Sequence, residues 1–151
     1  MTWKPHVTVA AVVQRDGRFL LVEERIDGKR VLNQPAGHLD EGEGLTAAVI
    51  REAREETAWG FVPEAIVGIY RWRVPENGRT YLRITFSGRC EDHQPDQPLD
   101  TEIIRTVWLS RDQIEARTAH LRSPLVLRSI DDYIAGRRYP LAMLVDMEQG
   151  E

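Results

Sequence analysis

Five residues of this chain have types and spacing that could do chemistry together: Glu43, Arg51, Glu52, Glu55 and Glu56. On a helix, Glu52 lies three residues before Glu55 and four before Glu56, so the three carboxylates can converge on one side. They fall in the C-terminal half of a helical segment, where the macrodipole disfavours negative charge. Like charges this close raise one another's pKa unless a cation joins them. A hard divalent cation with oxygen ligands, Mg²⁺ with Mn²⁺ as a substitute, removes the conflict. Taken without its neighbours, such a helix has a plainer reading as a solvated acidic face laced by an Arg51–Glu55 pair.

The elements that must position these groups run from Gly37 to Gly60. Gly37, Gly42 and Gly44 punctuate an acidic stretch that reads as a loop. Leu45, Ala48, Val49 and Ala53 then recur at three- and four-residue spacing, which predicts a helix with one apolar face. In order, the chain presents Gly37, five residues, Glu43, seven residues, and Arg51-Glu52-Ala53-Arg54-Glu55-Glu56. This resembles the Nudix box, a glycine, a glutamate and then REUxEEx(G)U. Two positions depart from it. The glycine after the glutamate pair is Ala58, and the closing aliphatic residue is Trp59. Gly60 is expected to take over the helix C-cap, because glycine enters the left-handed region at low cost.

The resemblance implies the α/β Nudix fold, a mixed sheet sandwiched between helices, and metal-dependent hydrolysis of a phosphoanhydride. On it, Glu55 and Glu56 match metal-binding positions, and Glu52 matches a carboxylate that binds metal or activates water. Gly37 matches the glycine whose carbonyl reaches a cation. Arg51 matches the arginine that orients the glutamates, and Glu43 an auxiliary acid and second choice as base. An acid from outside the box often joins, for which Asp100 and Glu102 are the candidates, with Glu102 ahead. The chemistry suits a diphosphate, whose negative charges repel an incoming oxygen nucleophile unless cations neutralise them.

Beyond the box, KPHVTVAAVV, NQPAGHL and the late RSPLV segment are similar to a bacterial phosphatase branch of the family, so the resemblance spans Lys4 to Met143. It implies release of inorganic phosphate from 4-amino-2-methyl-5-hydroxymethylpyrimidine diphosphate, thiamine diphosphate and nucleoside di- and triphosphates. A pyrophosphatase of ADP-ribose or another nucleoside diphosphate-sugar is the alternative within the enzyme class. A non-catalytic Nudix-fold nucleotide sensor is the alternative outside it. Sensors tend to lose carboxylates of the box and to carry a DNA-binding module. Here all four glutamates are present, and a chain of 151 residues is expected to leave no room for such a module.

Substrate contacts are expected from Tyr70, Trp72 and Tyr81, as an aromatic face able to stack on a ring, and from Gln34 as a hydrogen-bonding group. Arg25, Arg71, Arg73 and Arg83 have the charge to reach a phosphate, and each has the plainer reading of a surface residue. The length predicts one domain over 1–151. A net charge of −4 excludes bulk attraction to nucleic acid or anionic membrane, so an anionic substrate needs local arginines or a metal. The apolar runs fall short of a membrane span. The single cysteine, Cys90, excludes an internal disulfide, fits a cytoplasmic location and reads as a packing residue. Monomer and homodimer both stay open.

The remaining pattern is mostly strands. His6–Val13 and Phe19–Val22 form a hairpin over a turn at 15–18, and their unbroken apolar character suggests cover on both faces. A turn at 26–29 leads to an extended stretch at 31–35. Pro63 separates the helix from a strand over 66–73, which pairs with another over 81–89. A last strand covers 103–109. Ser110 caps a short helix over 111–116. Ser123 and Pro124 open a final helix whose apolar face is Val126, Ile130, Tyr133 and Ile134.

Overall fold

The computed structural model describes residues 2–148. Its strands are β1 (His6–Arg15), β2 (Arg18–Ile26), β3 (Lys29–Asn33), β4 (Ala36–His38), β5 (Gly60–Arg73), β6 (Thr80–Glu91) and β7 (Ile103–Ser110). Its helices are α1 (Leu45–Thr57), α2 (Arg111–Glu115) and α3 (Leu125–Ile134), with two short 3-10 turns. The strands run in the order β3-β2-β1-β6-β5, with β4 paired to β1 and β7 to β2. β1 and β6 are parallel, whereas β2–β3, β2–β7, β1–β4 and β5–β6 are antiparallel. The sheet is therefore mixed.

The apolar run of β1 is covered on both sides because successive side chains enter different cores. Val9, Ala11 and Val13 join Ala48, Val49 and Ala53 of α1. Val12 joins Ile114 of α2 and Val126 and Ile130 of α3. One helix thus lies on one face and two on the other, the layering the family resemblance implies. Cys90 is buried in the first core, as expected of a packing residue. No helix among the described residues is long and apolar enough to cross a membrane.

The structure corrects several local expectations. Gly37 lies in the short strand β4, paired with Val9, and not in a loop. β5 starts at Gly60, six residues before the expected strand, and Pro63 is inside it. The register shifts between Pro63 and Ala65, a bulge that tolerates a residue without an N–H. Gly60 therefore opens a strand, and Ala58 caps the helix with φ 61°, its N–H donating to the Arg54 carbonyl. Ile134 is 54% exposed and stands outside the apolar face of α3. Ser110 does cap α2, through a reciprocal pair with Gln113.

Ala58 is one of the few non-glycine residues at positive φ. Ala58→Gly removes the left-handed penalty and is expected to raise stability by about 1 kcal/mol, read as a higher denaturant midpoint at unchanged slope.

Candidate active site

Arg51 is the hub of the acidic cluster. Its Nε donates to Glu43 Oε2 at 3.0 Å and its Nη2 to Glu43 Oε1 at 2.7 Å, a two-pronged grip. Nη2 also donates to the His38 carbonyl at 3.0 Å, tying α1 to the end of β4. Nη1 donates to Glu52 Oε1 at 2.8 Å and to Glu55 Oε2 at 3.2 Å. One guanidinium therefore fixes three of the four box glutamates relative to β4. Lysine, a point charge without the fork, could not do the same.

Glu56 is placed from the other side. Its Oε1 accepts from the Ala36 N–H at 2.9 Å, so the start of β4 meets the end of α1. Gly37 is pressed against Glu52 so closely that a Cβ there would overlap the carboxylate. Glycine is needed for that approach, and its φ is unremarkable. β4, absent from the expected elements, is thus the strand against which the carboxylates are set.

The electrostatics separate the acids. Burial raises the Glu52 carboxyl, with Arg51 pulling it back down. Burial pushes Glu56 up to about 9, opposed by the Ala36 hydrogen bond and reinforced by Glu24 and Glu52. Glu43 moves the other way, because the Arg51 hydrogen bonds hold it below its ordinary value. As a base, Glu43 is the poorer of the two candidates, since both its oxygens are engaged and its proton affinity is reduced. Glu52 has the higher proton affinity.

Glu52, Glu55 and Asp100 each offer an oxygen, and these atoms lie within 4.8 Å of one another. Three hard oxygen donors, with the raised carboxyl of Glu56 nearby, fit a divalent cation such as Mg²⁺ or Mn²⁺. The acid from outside the box in this cluster is Asp100, not Glu102. The reason lies in the loop before β7, which covers the C-terminal carbonyls of α1. Gln94 N–H donates to the Ala58 carbonyl, Gln97 Nε2 to that of Arg54, and Asp100 N–H to that of Glu55. The last of these bonds brings Asp100 to Glu55. The Glu102 carbonyl instead accepts from Arg25 N–H of β2.

Trp59 does not distort the helix end. It stacks on His93 with ring centroids 4.4 Å apart, meets Trp108 edge-on, and lies under the Arg15 guanidinium at 4.8 Å. The large ring replaces the family's aliphatic residue as an anchor.

The candidate substrate residues divide. Trp72 pairs with Tyr81, and Tyr70 with Arg83, so all four share the sheet face that α3 covers in part. Tyr81 stacks on His6 at 5.1 Å, with His38 edge-on to His6. The Tyr70 hydroxyl is committed to Asp132 Oδ2 at 2.7 Å. Gln34 is only 1% exposed, with Nε2 donating to the Val126 carbonyl and Oε1 accepting from Arg83. Gln34 is therefore an internal brace, where a substrate contact was expected. Arg25, Arg71 and Arg73 are exposed as expected, but Arg83 is buried. Glu24 was missed altogether: it is buried and pairs with Arg122 at 2.9 Å. Its only signal was an acid closing an apolar strand.

A model of the NUDIX domain matches residues 4–129. Phosphatase NudJ of Shigella boydii serotype 4 (strain Sb227) is 44% identical over 144 residues, covering 95% of this chain and 93% of the relative. The protein of that name from Escherichia coli (strain K12) gives the same identity and coverage. Among solved structures, a NUDIX hydrolase from Nitrosomonas europaea has a TM-score of 0.95 at 51% identity, over 97% of this chain and 100% of that one. A UDP-X diphosphatase, at 19% identity and TM-score 0.74, covers 93% of this chain and 68% of that one and shares the fold alone. A domain match across most of the chain, relatives aligned nearly end to end, and an arginine-held glutamate box set against a glycine strand agree that this chain belongs to the Nudix hydrolase family.

Proposed function

We propose that residues 1–151 form one Mg²⁺-dependent phosphoanhydride hydrolase domain, with Mn²⁺ as a substitute ion. Its substrates are 4-amino-2-methyl-5-hydroxymethylpyrimidine diphosphate, thiamine diphosphate and nucleoside di- and triphosphates, and inorganic phosphate is released. The observation that carries this reading is the convergence of Glu52, Glu55 and Asp100 beside the buried Glu56. The identity with the proteins named phosphatase NudJ supports the choice of substrate class.

In this reading Glu52, Glu55, Glu56 and Asp100, with the Gly37 carbonyl, hold the cation. When bound, the ion supplies Lewis-acid charge that offsets repulsion between the anionic phosphates and the incoming oxygen. Glu52, set in place by Arg51 and by the close approach of Gly37, accepts the proton of the attacking water. Arg51 keeps Glu52 and Glu55 in register, and Glu43 keeps Arg51 in place. Trp72 and Tyr81 offer a flat surface to the organic group.

Asp100→Asn is expected to weaken Mn²⁺ binding about tenfold, and Glu102→Gln to leave it within twofold, as read by titration calorimetry. The reverse ranking would return the role to Glu102.

A Mg²⁺-dependent turnover panel read by phosphorus NMR tests the function. Terminal phosphate from the pyrimidine diphosphate, thiamine diphosphate and a nucleoside triphosphate is the expected result. Two phosphorylated products from ADP-ribose alone would keep the site and change the substrate class. Binding without turnover would favour a sensor.

A further inference from the structure

Arg83 sits where a guanidinium is costly. It is 5% exposed on β6, between Thr8 of β1 and Tyr70 of β5. Its Nη2 donates to two neutral amide oxygens, Asn33 Oδ1 at 3.2 Å and Gln34 Oε1 at 3.0 Å. Its Nε is buried with no hydrogen-bond partner among the described residues. Glu24, a buried acid of β2, is paired with Arg122 instead. A long apolar side chain would fill this place at lower desolvation cost, so packing alone does not account for an arginine here.

What Arg83 grips is the strap between β3 and β4, and that strap runs directly into the catalytic cluster. Gln34 is pinned at its other end to the Val126 carbonyl at 2.8 Å. The Pro35 carbonyl accepts from Ala11 N–H at 2.9 Å. The next residue, Ala36, donates to Glu56, and the one after, Gly37, lies against Glu52. Four consecutive residues thus connect a buried cation to both buried glutamates. Without Arg83, Asn33 Oδ1 and Gln34 Oε1 lose a donor, and the Gln34 amide is held only through its bond to the Val126 carbonyl.

We propose that Arg83 is a positioning residue for hydrolysis, which holds the 33–37 strap at the depth where Ala36 meets Glu56 and Gly37 meets Glu52. The proposal rests on the reading of those glutamates given above, and it acts through the strap with no contact to substrate.

The test compares wild type with Arg83→Met, Arg83→Lys and Asn33→Ala. Four quantities are measured: melting temperature, kcat and KM on the best substrate of the panel, Mn²⁺ affinity by calorimetry, and the Ala36 amide resonance in a nitrogen–proton NMR spectrum. For folded Arg83→Met, a shifted Ala36 amide and Mn²⁺ binding weakened about fivefold are expected, with kcat lower by about 10–100-fold and KM within about twofold. Arg83→Lys, which keeps a buried cation with donors but not the fork, is expected to recover part of each loss. An unmoved Ala36 amide with unchanged Mn²⁺ affinity would overturn the proposal, whatever the melting temperature does. A loss carried by KM alone would also overturn it, by making Arg83 a substrate contact. If Arg83→Met does not fold, Asn33→Ala removes one acceptor at a partly buried position and decides the matter at smaller amplitude. If the wild type hydrolyses nothing on the panel, the functional reading fails, while the amide and Mn²⁺ readouts still decide the positioning.

Discussion

Glutamine in place of Glu56 is expected to lower kcat by about 10³-fold and at the same time to raise the melting temperature of the metal-free protein. The two effects have one origin. Glu56 is buried, and its Oε1 accepts from Ala36 N–H. Glutamine keeps the shape and an oxygen for that hydrogen bond while removing the ionisable group. Burial holds the Glu56 carboxyl at about 9 against an ordinary 4.5, so at neutral pH the metal-free fold keeps a proton that the unfolded chain releases. Between those two values the unfolded state binds fewer protons, and stability falls as pH rises through the window. Glutamine is free of that loss. The gain should be on the order of 2 kcal/mol at pH 7, or several degrees, and should shrink as pH approaches 4.5. Saturating Mg²⁺ should reverse the order, because an ion that binds only the folded wild type adds about 2.7 kcal/mol at a hundredfold excess over Kd. Thermal melts at pH 5 and pH 7.5, with and without Mg²⁺, check all of this alongside turnover. Unchanged turnover and metal dependence in a folded Glu56→Gln protein would sink the metal-site assignment.

Gly37→Ala is the second large effect. An added Cβ would overlap the Glu52 carboxylate, and the flexible glutamate has to yield because β4 is paired to β1 behind it. Glu52 is also held by Arg51 at 2.8 Å, so its displacement disturbs the hub and Glu55 with it. A shift of about 1 Å in a catalytic group is enough for a loss of about 10² in kcat. The cost in stability is expected to be about 1–3 kcal/mol, as for one methyl group forced into a packed place. Melting temperature and kcat therefore both fall, whereas Glu56→Gln separates them. A crystal structure of the variant should show Glu52 moved away from β4. An unmoved Glu52 with full activity would mean that the close approach of β4 has no role in setting the carboxylates.

Much of the catalytic element was readable from spacing, because a helix is a local structure. Once Leu45, Ala48, Val49 and Ala53 set the period, the sides carrying Arg51, Glu52, Glu55 and Glu56 followed from 3.6 residues per turn. The alternating strands, the cap at Ser110 and the start of the last helix were legible for the same reason, since each depends on neighbours within a few residues. Sequence alone therefore determined that Arg51, Glu52, Glu55 and Glu56 share one helix and which side of it they occupy.

Tertiary structure decided the rest, because it concerns pairings between distant residues. That Gly37 belongs to a strand depends on its partner Val9 in β1, which no local pattern announces. That Asp100 and not Glu102 joins the acidic cluster depends on a polar loop folding back onto the carbonyls at the end of α1. Arg83 alternates with apolar neighbours like a surface residue of a two-faced strand, and only the α3 side of the sheet shows that this face is covered. Gln34 has the type of a substrate hydrogen-bonding group, yet its amide is committed to Val126 and Arg83. A side chain's type states what it can bond, and its depth and neighbours in the fold determine which bond it makes.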